Sequence, residues 1–268
     1  MKAIIAATGA LTLAFSAVAG DAQPLRVCAD PNNMPFSDRG GHGFENRIIE
    51  LLARDLHRQV EYVWWAQRRG FVRHTLGEAA CDLWPGLASG MDDTATSQPY
   101  YESTYVFVTR ADRDLRGLSL DDPRLKGLSI GVQMIGADGM NTPPVHALAR
   151  RGIIGNVRGF MLYGDYRQPN PPARIIDAVA SGAVDVALAW GPLAGYFAAT
   201  ASRPLRVQPM APSADGAGWP MHFAISMGVA AHSSVPLTRI NALLQQERPR
   251  IQSILRQYHV PLVAGTTP

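Results

Sequence analysis

The chain has 268 residues, of which 47% are hydrophobic and 18% charged, and its formal net charge is +3. This length is enough for two modest lobes that each bury a core, and the composition is that of an ordinary folded protein. Because the basic residues are mostly dispersed arginines, the charge argues against nucleic acid or an anionic membrane as a partner.

The first 22 residues have the pattern of a cleaved secretory signal peptide. Lys2 precedes an apolar run over residues 3–19, and small residues follow that suit a cleavage site. A membrane anchor is the alternative, but it needs about 20 apolar residues and favours larger side chains. Arg26, two residues before Cys28, does not suit a lipoprotein signal. We therefore predict a mature protein that lies in the periplasm without a membrane anchor.

The chain contains two cysteines, Cys28 and Cys81. In an oxidising compartment, two cysteines at the ends of predicted strands favour one disulfide between neighbouring strands. A reactive thiol or a metal pair is the alternative, although Arg26 is the only basic residue that flanks Cys28.

Alternating strand-like and helical segments over the first 90 residues predict an α/β lobe. Strands are expected at 25–29, 61–65 and 83–87, with helices at 44–56 and 68–80. In the first helix, the apolar stripe faces the core and Glu45 is expected on the opposite, polar face. The β-α-β-α-β order predicts a parallel sheet with right-handed crossovers.

The segment 81–110 is expected to lead from this lobe to a second one. Gly86 lies where its strand ends and is expected to leave room for a ligand at the carboxyl edge of the sheet. A turn at 99–101 precedes the strand-like run 105–109, which is predicted as a crossover. The charged run 111–127, which contains a proline, is predicted as a surface connection.

The remaining chain repeats the pattern. Strands are expected at 128–132, 157–161, 184–190 and 205–208, and helices at 142–151, 172–181 and 192–200. Asn141 or Thr142, before two prolines, predicts a capped helix start whose amides face the cleft. Run 223–229 is the predicted return crossover. Residues 236–258 form an amphipathic helix that Pro249 kinks or splits.

The predicted fold class is therefore α/β and two-lobed, and each lobe has a mostly parallel sheet flanked by helices. Residues 23–109 and 222–268 are assigned to lobe 1 and residues 110–221 to lobe 2, with two crossover strands as the hinge.

The loops that follow the strands predict a concave, aromatic cleft between the lobes. Trp65, Arg68 and Arg69 are expected at its mouth. The remaining cleft residues are expected to be Asp30, Asn32, Asn33, Phe36, Gly86, Tyr100 and Tyr101 from the first lobe and Gln133, Asn141, Thr142, Asp165, Tyr166 and Trp190 from the second.

Catalytic and metal-binding patterns are missing from the sequence. The seven histidines show no metal-ligand spacing, and there is no Gly-Lys-Thr phosphate loop or Gly-x-Ser-x-Gly elbow. No enzyme activity, cofactor or protein-bound metal is therefore predicted. A lyase would need an acid and a base in the cleft, for which Asp30 and Asp165 are the only pair to nominate.

The order of parts resembles the type II periplasmic binding proteins, solute-binding protein family 3, over essentially the whole mature chain. The runs RVCADPNNMPFS, GFENRIIELLARDL, WWAQRRGFVR, PYYESTYVFVTR, IGVQMIGADGMNTPPVHALARRGI and WGPLAGYF look like the XoxJ/MoxJ group. This resemblance implies a monomeric accessory factor that engages a quinoprotein (PQQ) methanol dehydrogenase, often of the lanthanide type, and binds that enzyme or a small ligand in the cleft.

The alternative is the solute receptor of an ABC importer. Relatives that bind amino acids usually hold the ligand carboxylate with an arginine after the third strand and its ammonium with an aspartate at a second-lobe strand end. The segment 92–98 has no arginine, and Trp190 stands at the matching strand end. Amino acids are therefore disfavoured, because an unpaired buried charge is costly, and the importer's solute is expected to be another small molecule.

Overall fold

The computed structural model describes residues 23–67, 71, 73–90, 94–134, 141–161, 166–211 and 219–263. The predicted signal peptide lies outside these residues. Their strands are β1 (Leu25–Ala29), β2 (Asn32–Asn33), β3 (Ser37–Asp38), β4 (Val60–Trp64), β5 (Leu83–Ala88), β6 (Ala95–Thr96), β7 (Tyr101–Arg110), β8 (Ile130–Met134), β9 (Val157–Met161), β10 (Val186–Trp190), β11 (Leu205–Pro209) and β12 (His222–Val229).

Six α-helices lie within the same ranges, and most follow the predicted segments. They are α1 (Phe44–Asp55), α2 (Pro143–Arg150), α3 (Arg174–Ser181), α4 (Gly191–Ala199), α5 (Leu237–Gln246) and α6 (Arg248–Gln257). The predicted split at Pro249 is confirmed, because a proline is tolerated in the first turn of a helix but not in its interior. Of the predicted helix 68–80, the structure describes a π-helical turn at Arg73–Gly77.

The first lobe is built on the parallel strands β4, β1 and β5, in that order. The predicted disulfide between Cys28 and Cys81 is confirmed, and it joins the end of β1 to the residues just before β5. In the second lobe, the parallel strands are β9, β8 and β10. The predicted fold class is thus confirmed, with a parallel sheet in each lobe.

Two antiparallel strands, β7 and β12, connect the lobes. The first four residues of β7 pair with β12, from Tyr101 opposite Ile225 to Thr104 opposite His222. From Tyr105 onwards, β7 pairs instead with β10 and β11 of the second lobe. The hydrogen-bonded ladder is therefore continuous through β7, and this crossover is longer than the predicted 105–109.

The main core of the first lobe lies between its sheet and helices α1, α5 and α6. Two further cores cover the two faces of the second-lobe sheet. The segment 111–127 is a surface connection, as predicted, but it also contributes to the core. Most of its charged residues are exposed, but its leucines are buried, and these are Leu115, Leu118, Leu120 and Leu125.

The chain after α6 makes a third contact between the lobes. The rings of Tyr258 and Tyr196 stack with centroids 5.7 Å apart, and Tyr196 belongs to α4 of the second lobe. Gly195 of the same helix allows this approach, because a Cβ there would lie 2.0 Å from the carbonyl oxygen of His259. Ser103 of β7 then donates a hydrogen bond to the carbonyl of Pro261 at 2.6 Å.

Candidate functional site

A cavity of about 330 Å³ lies between the lobes at the carboxyl ends of the parallel strands. This volume falls within the range of small-ligand pockets, which hold about 300–1,000 Å³. Open α/β sheets place their ligands at this edge. The structure brings nine of the sequence-predicted residues together in the lining, and these are Asp30, Asn32, Asn33, Phe36, Gly86, Tyr101, Gln133, Tyr166 and Trp190.

Asp30 is at the centre of the hydrogen bonds around the first-lobe loop. It is 3% exposed, and its carboxylate accepts hydrogen bonds from the backbone N–H of Asn32 at 2.8 Å and of Gln67 at 2.6 Å. The hydroxyl of Tyr166 donates to the same carboxylate from the second lobe. The side-chain amide of Asn32 donates to the carbonyl of Gln168 at 2.8 Å. The loop after β1 therefore binds the second lobe along one side of the cavity.

Gln133 fixes the opposite wall. Its side-chain oxygen accepts a hydrogen bond of 2.7 Å from the backbone N–H of Trp190. Its backbone carbonyl accepts one of 2.6 Å from the hydroxyl of Thr142. The expected side-chain cap of α2 by Thr142 is therefore wrong, since no cap hydrogen bond forms and the hydroxyl is used by β8 instead.

Three aromatic rings form the wall nearest the hinge. Tyr105 and Trp190 have centroids 5.3 Å apart and an interplanar angle of 62°, and Trp190 and Phe223 have 5.9 Å and 72°. Tyr105 and Phe223 are 6.4 Å apart at 75°. Edge-to-face packing of this kind fixes the three rings against one another. All three also line the cavity.

Glu45 is the unexpected member of the site. The prediction that it lies on the exposed face of α1 is wrong, since it is 6% exposed and lines the cavity. Burial, reinforced by the nearby charge of Asp30, raises the pKa of Glu45 to about 8. Gly86 makes the space for this carboxyl, because a Cβ at Gly86 would lie 2.5 Å from Oε1 of Glu45.

Four of the other predicted site residues are described and are not among the lining residues. Trp65 is 41% exposed and stacks on His74 with centroids 5.3 Å apart. The hydroxyl of Tyr100 donates to the carbonyl of Pro85 at 2.7 Å, which turns the ring away from the cavity. Neither Asn141 nor Thr142 is among the lining residues. Arg68, Arg69 and Asp165 lie outside the described residues.

Two further cavities adjoin this one. The smaller, of about 140 Å³, shares Gln133 with the main cavity and is lined by Arg158 and Arg174. The larger, of about 600 Å³, lies on the first lobe between α5, α6 and the start of β7, and Tyr100 lines it.

Sequence reasoning missed eight residues of the lining, and these are Glu45, Gln67, Ala88, Tyr105, Pro172, Leu193, Phe223 and Ile225. Tyr105, Phe223 and Ile225 belong to the two strands that connect the lobes. They could have been found from the predicted crossovers, because strands that pass between two lobes must border the cleft. Within the ranges that the structure describes, no cluster of three metal-ligating side chains is found, and no helix is long and apolar enough to cross a membrane.

The fold and the cavity define a class of protein. Two α/β lobes joined by two strands, with a ligand-sized cavity at the strand ends, are the architecture of a periplasmic binding protein. Solved structures share it. An ancestral cationic amino-acid solute-binding protein aligns over 88% of this chain with a TM-score of 0.66, although at 18% identity it shows the fold alone.

More similar proteins narrow the assignment. The chain is 34% identical to protein MoxJ of Methylorubrum extorquens AM1 over 96% of its length and 87% of that protein, and 29% identical to MoxJ of Paracoccus denitrificans over 97% and 96%. The alignment with the crystal structure of the periplasmic binding protein XoxJ from Methylobacterium extorquens AM1 covers 90% of this chain and all of the XoxJ chain, with 37% identity and a TM-score of 0.73. The alignment with the crystal structure of MxaJ from Methlophaga aminisulfidivorans MPT covers 89% of this chain and all of the MxaJ chain, with 27% identity and a TM-score of 0.75.

No family model matches the chain. Identity above 30% over nearly the full length of a curated relative nevertheless establishes the relationship. The chain belongs to the MoxJ/XoxJ family of periplasmic binding proteins, as the sequence runs indicated.

Proposed function

We propose that this protein is a periplasmic accessory factor of a PQQ-dependent methanol or alcohol dehydrogenase, of the lanthanide-dependent type. In this proposal the cavity between the lobes binds a segment of that enzyme or a small ligand. Membership of the MoxJ/XoxJ family over the whole length carries the proposal.

The composition of the cavity supports this role over that of an amino-acid receptor. Among its described lining residues there is no arginine or lysine to hold a carboxylate. Trp190 occupies the strand end where an amino-acid receptor of this fold needs an aspartate. The carboxylate of a buried zwitterion would therefore find no counter-charge among the described lining residues, and such a charge is costly in a site of low dielectric constant. The importer alternative, for a small solute other than an amino acid, is not favoured because the chain matches MoxJ and XoxJ proteins over nearly its full length.

The test is a deletion strain together with affinity purification from the periplasm. We expect the tagged protein to co-purify with the dehydrogenase, and the deletion to reduce dehydrogenase activity. Normal activity in the deletion strain, with no complex recovered, would refute the proposal.

Two variants distinguish the main cavity from the cavity of about 600 Å³ on the first lobe, which we call the first-lobe groove. Ala88→Phe fills the cavity from the end of β5, and Leu262→Arg places a charge in the groove beside α6. Both must first show wild-type circular dichroism. We expect Leu262→Arg to restore activity in the deletion strain and Ala88→Phe to fail. The reverse result would move the functional surface to the groove.

A further inference from the structure

An acidic side chain without a partner is directed into the cavity. Glu45 is 6% exposed and lines the cavity, and among the described residues its carboxyl group makes no hydrogen bond or ion pair. Burying a carboxyl group without a partner is costly, and the cost is recovered if a ligand supplies the missing donor or counter-charge. The position therefore suits a ligand group that donates hydrogen bonds or carries positive charge.

The Glu45 carboxyl lies next to Gly86 near the end of β5, where the missing side chain leaves room for it. A Cβ added at Gly86 would lie 2.5 Å from Oε1 of Glu45, so the Glu45 carboxyl would have to shift. The neighbouring Asp30 already has donors from Asn32, Gln67 and Tyr166. A ligand would consequently meet Glu45 as the open acceptor and Asp30 as a second, fixed negative charge.

The remaining walls are aromatic. Tyr105, Trp190 and Phe223 line the same cavity, and their rings stand at steep angles to one another. Aromatic faces attract ammonium and guanidinium groups, most strongly where water is excluded. Arg158 and Arg174 line the adjoining smaller cavity and are not among the described lining residues of this one.

We infer that the cavity binds a small organic cation, with an ammonium or guanidinium group against Glu45 and an apolar body against the ring wall. The inference rests on the proposed function, because it names the class of ligand for the same cavity. An anion would face the carboxyl groups of Asp30 and Glu45, and no arginine or lysine is among the described lining residues. An uncharged apolar molecule would leave the Glu45 carboxyl unpaired.

Binding of this cation depends on pH. Because burial raises the pKa of Glu45, the carboxyl is mostly protonated at neutral pH, and the cation must displace that proton. The titratable groups that interact electrostatically with Glu45 are Asp30 from the loop after β1, Tyr62 of β4, Tyr100 just before β7 and Tyr101 at its first position. The pKa values of the three tyrosines are raised by burial, so Asp30 and Glu45 are the groups of this set that change or carry charge near neutral pH. The affinity for the cation should therefore rise as the pH rises, by up to about tenfold per pH unit, until about pH 8.

Isothermal titration calorimetry on the mature protein tests the inference with three matched probes. Choline is the cation, 3,3-dimethylbutan-1-ol is its uncharged isostere, and butyrate is the anion. We expect choline to bind at least tenfold more tightly than the alcohol at pH 8, and butyrate not to bind. Titrations at pH 7 in two buffers of different ionisation enthalpy should show release of about 0.9 proton per choline.

Two variants make the result specific. Glu45→Gln matches the neutral acid in size, so it is expected to fold, and it should bind choline at least tenfold more weakly and release no proton. Glu50→Gln removes a carboxylate from the same helix outside the cavity lining and should bind as the wild type does. Equal affinity for choline and the alcohol, tightest binding of butyrate, or unchanged binding by Glu45→Gln would overturn the inference.

A competition experiment identifies where the cation comes from. If choline reduces co-purification of the dehydrogenase, the cation is a lysine or arginine side chain of that enzyme. If choline binds without affecting the complex, the cation is a free small molecule. Failure of every choline experiment while the dehydrogenase still co-purifies refutes the ligand class and leaves the proposed function standing.

Discussion

Replacement of Glu45 by glutamine should make the protein more stable, by an amount that increases with pH. In the folded protein the pKa of Glu45 is raised from 4.5 to about 8. The folded state therefore holds a proton that the unfolded state releases above pH 4.5. Stability is lost as the pH rises from 4.5 to 8, by about 1.4 kcal/mol per pH unit. Glutamine cannot ionise, so the variant does not incur this loss.

The structure gives the magnitude of the effect. The stability difference between Glu45→Gln and the wild type should be near zero at pH 4, about 3 kcal/mol at pH 7 and about 5 kcal/mol above pH 8.5. Urea unfolding at half-unit steps from pH 4 to 9 measures it, with Glu50→Gln as the control on the same helix. A difference that does not change with pH, or a variant that is less stable at pH 8, would refute the assignment of Glu45 as a buried, uncharged acid.

Three other changes test separate parts of the structure. Replacing both Cys28 and Cys81 by alanine should cost about 4 kcal/mol, since the bond closes a loop with a sequence separation of 53 residues; urea unfolding measures the loss. Tyr166→Phe removes a hydroxyl that joins the lobes through a carboxylate, so it should weaken lobe closure by about 1.5–3 kcal/mol and increase the radius of gyration in small-angle scattering. Gly86→Ala introduces a Cβ against the buried carboxyl and should destabilise the protein by about 1–3 kcal/mol, seen as a lower midpoint in thermal unfolding.

Matched controls accompany these changes. Tyr62→Phe removes a hydroxyl whose hydrogen bond stays within the first lobe, so the radius of gyration should not change. Gly155→Ala places a methyl group where no atom lies within 4 Å, and its thermal midpoint should stay within about 1 °C of the wild type. Equal effects of a control and its test variant would show that the contact in question does not determine the outcome.

Local sequence patterns were sufficient for most elements of the fold. The strands Leu25–Ala29 and Val157–Met161 have the predicted bounds because each is a β-type run that turn residues terminate. Pro249 located the break between α5 and α6 because its ring excludes an interior helical position. The crossover β7 was predicted too short at its start, because the preceding proline made Tyr101 look like part of a turn.

The cavity was predictable only in part. Asp30, Asn32 and Asn33 follow a parallel strand, and strand order alone brings such residues to the ligand edge of a sheet. Glu45 was missed because helical periodicity assigns charged residues to the solvent side, whereas the first turn of α1 points toward the lobe interface. The Glu45 carboxyl fits because Gly86, in a distant segment of the chain, has no side chain. A contact between such distant residues leaves no pattern in a single sequence.

The contact of His259 with α4 means that three segments of the chain, rather than two, pass between the lobes. An opening movement has to separate the Tyr258 ring from the Tyr196 ring and withdraw the backbone of His259 from Gly195, in addition to twisting β7 and β12. Substitutions of Tyr196 or Gly195, which would loosen this contact, should therefore change how readily the lobes open for a ligand.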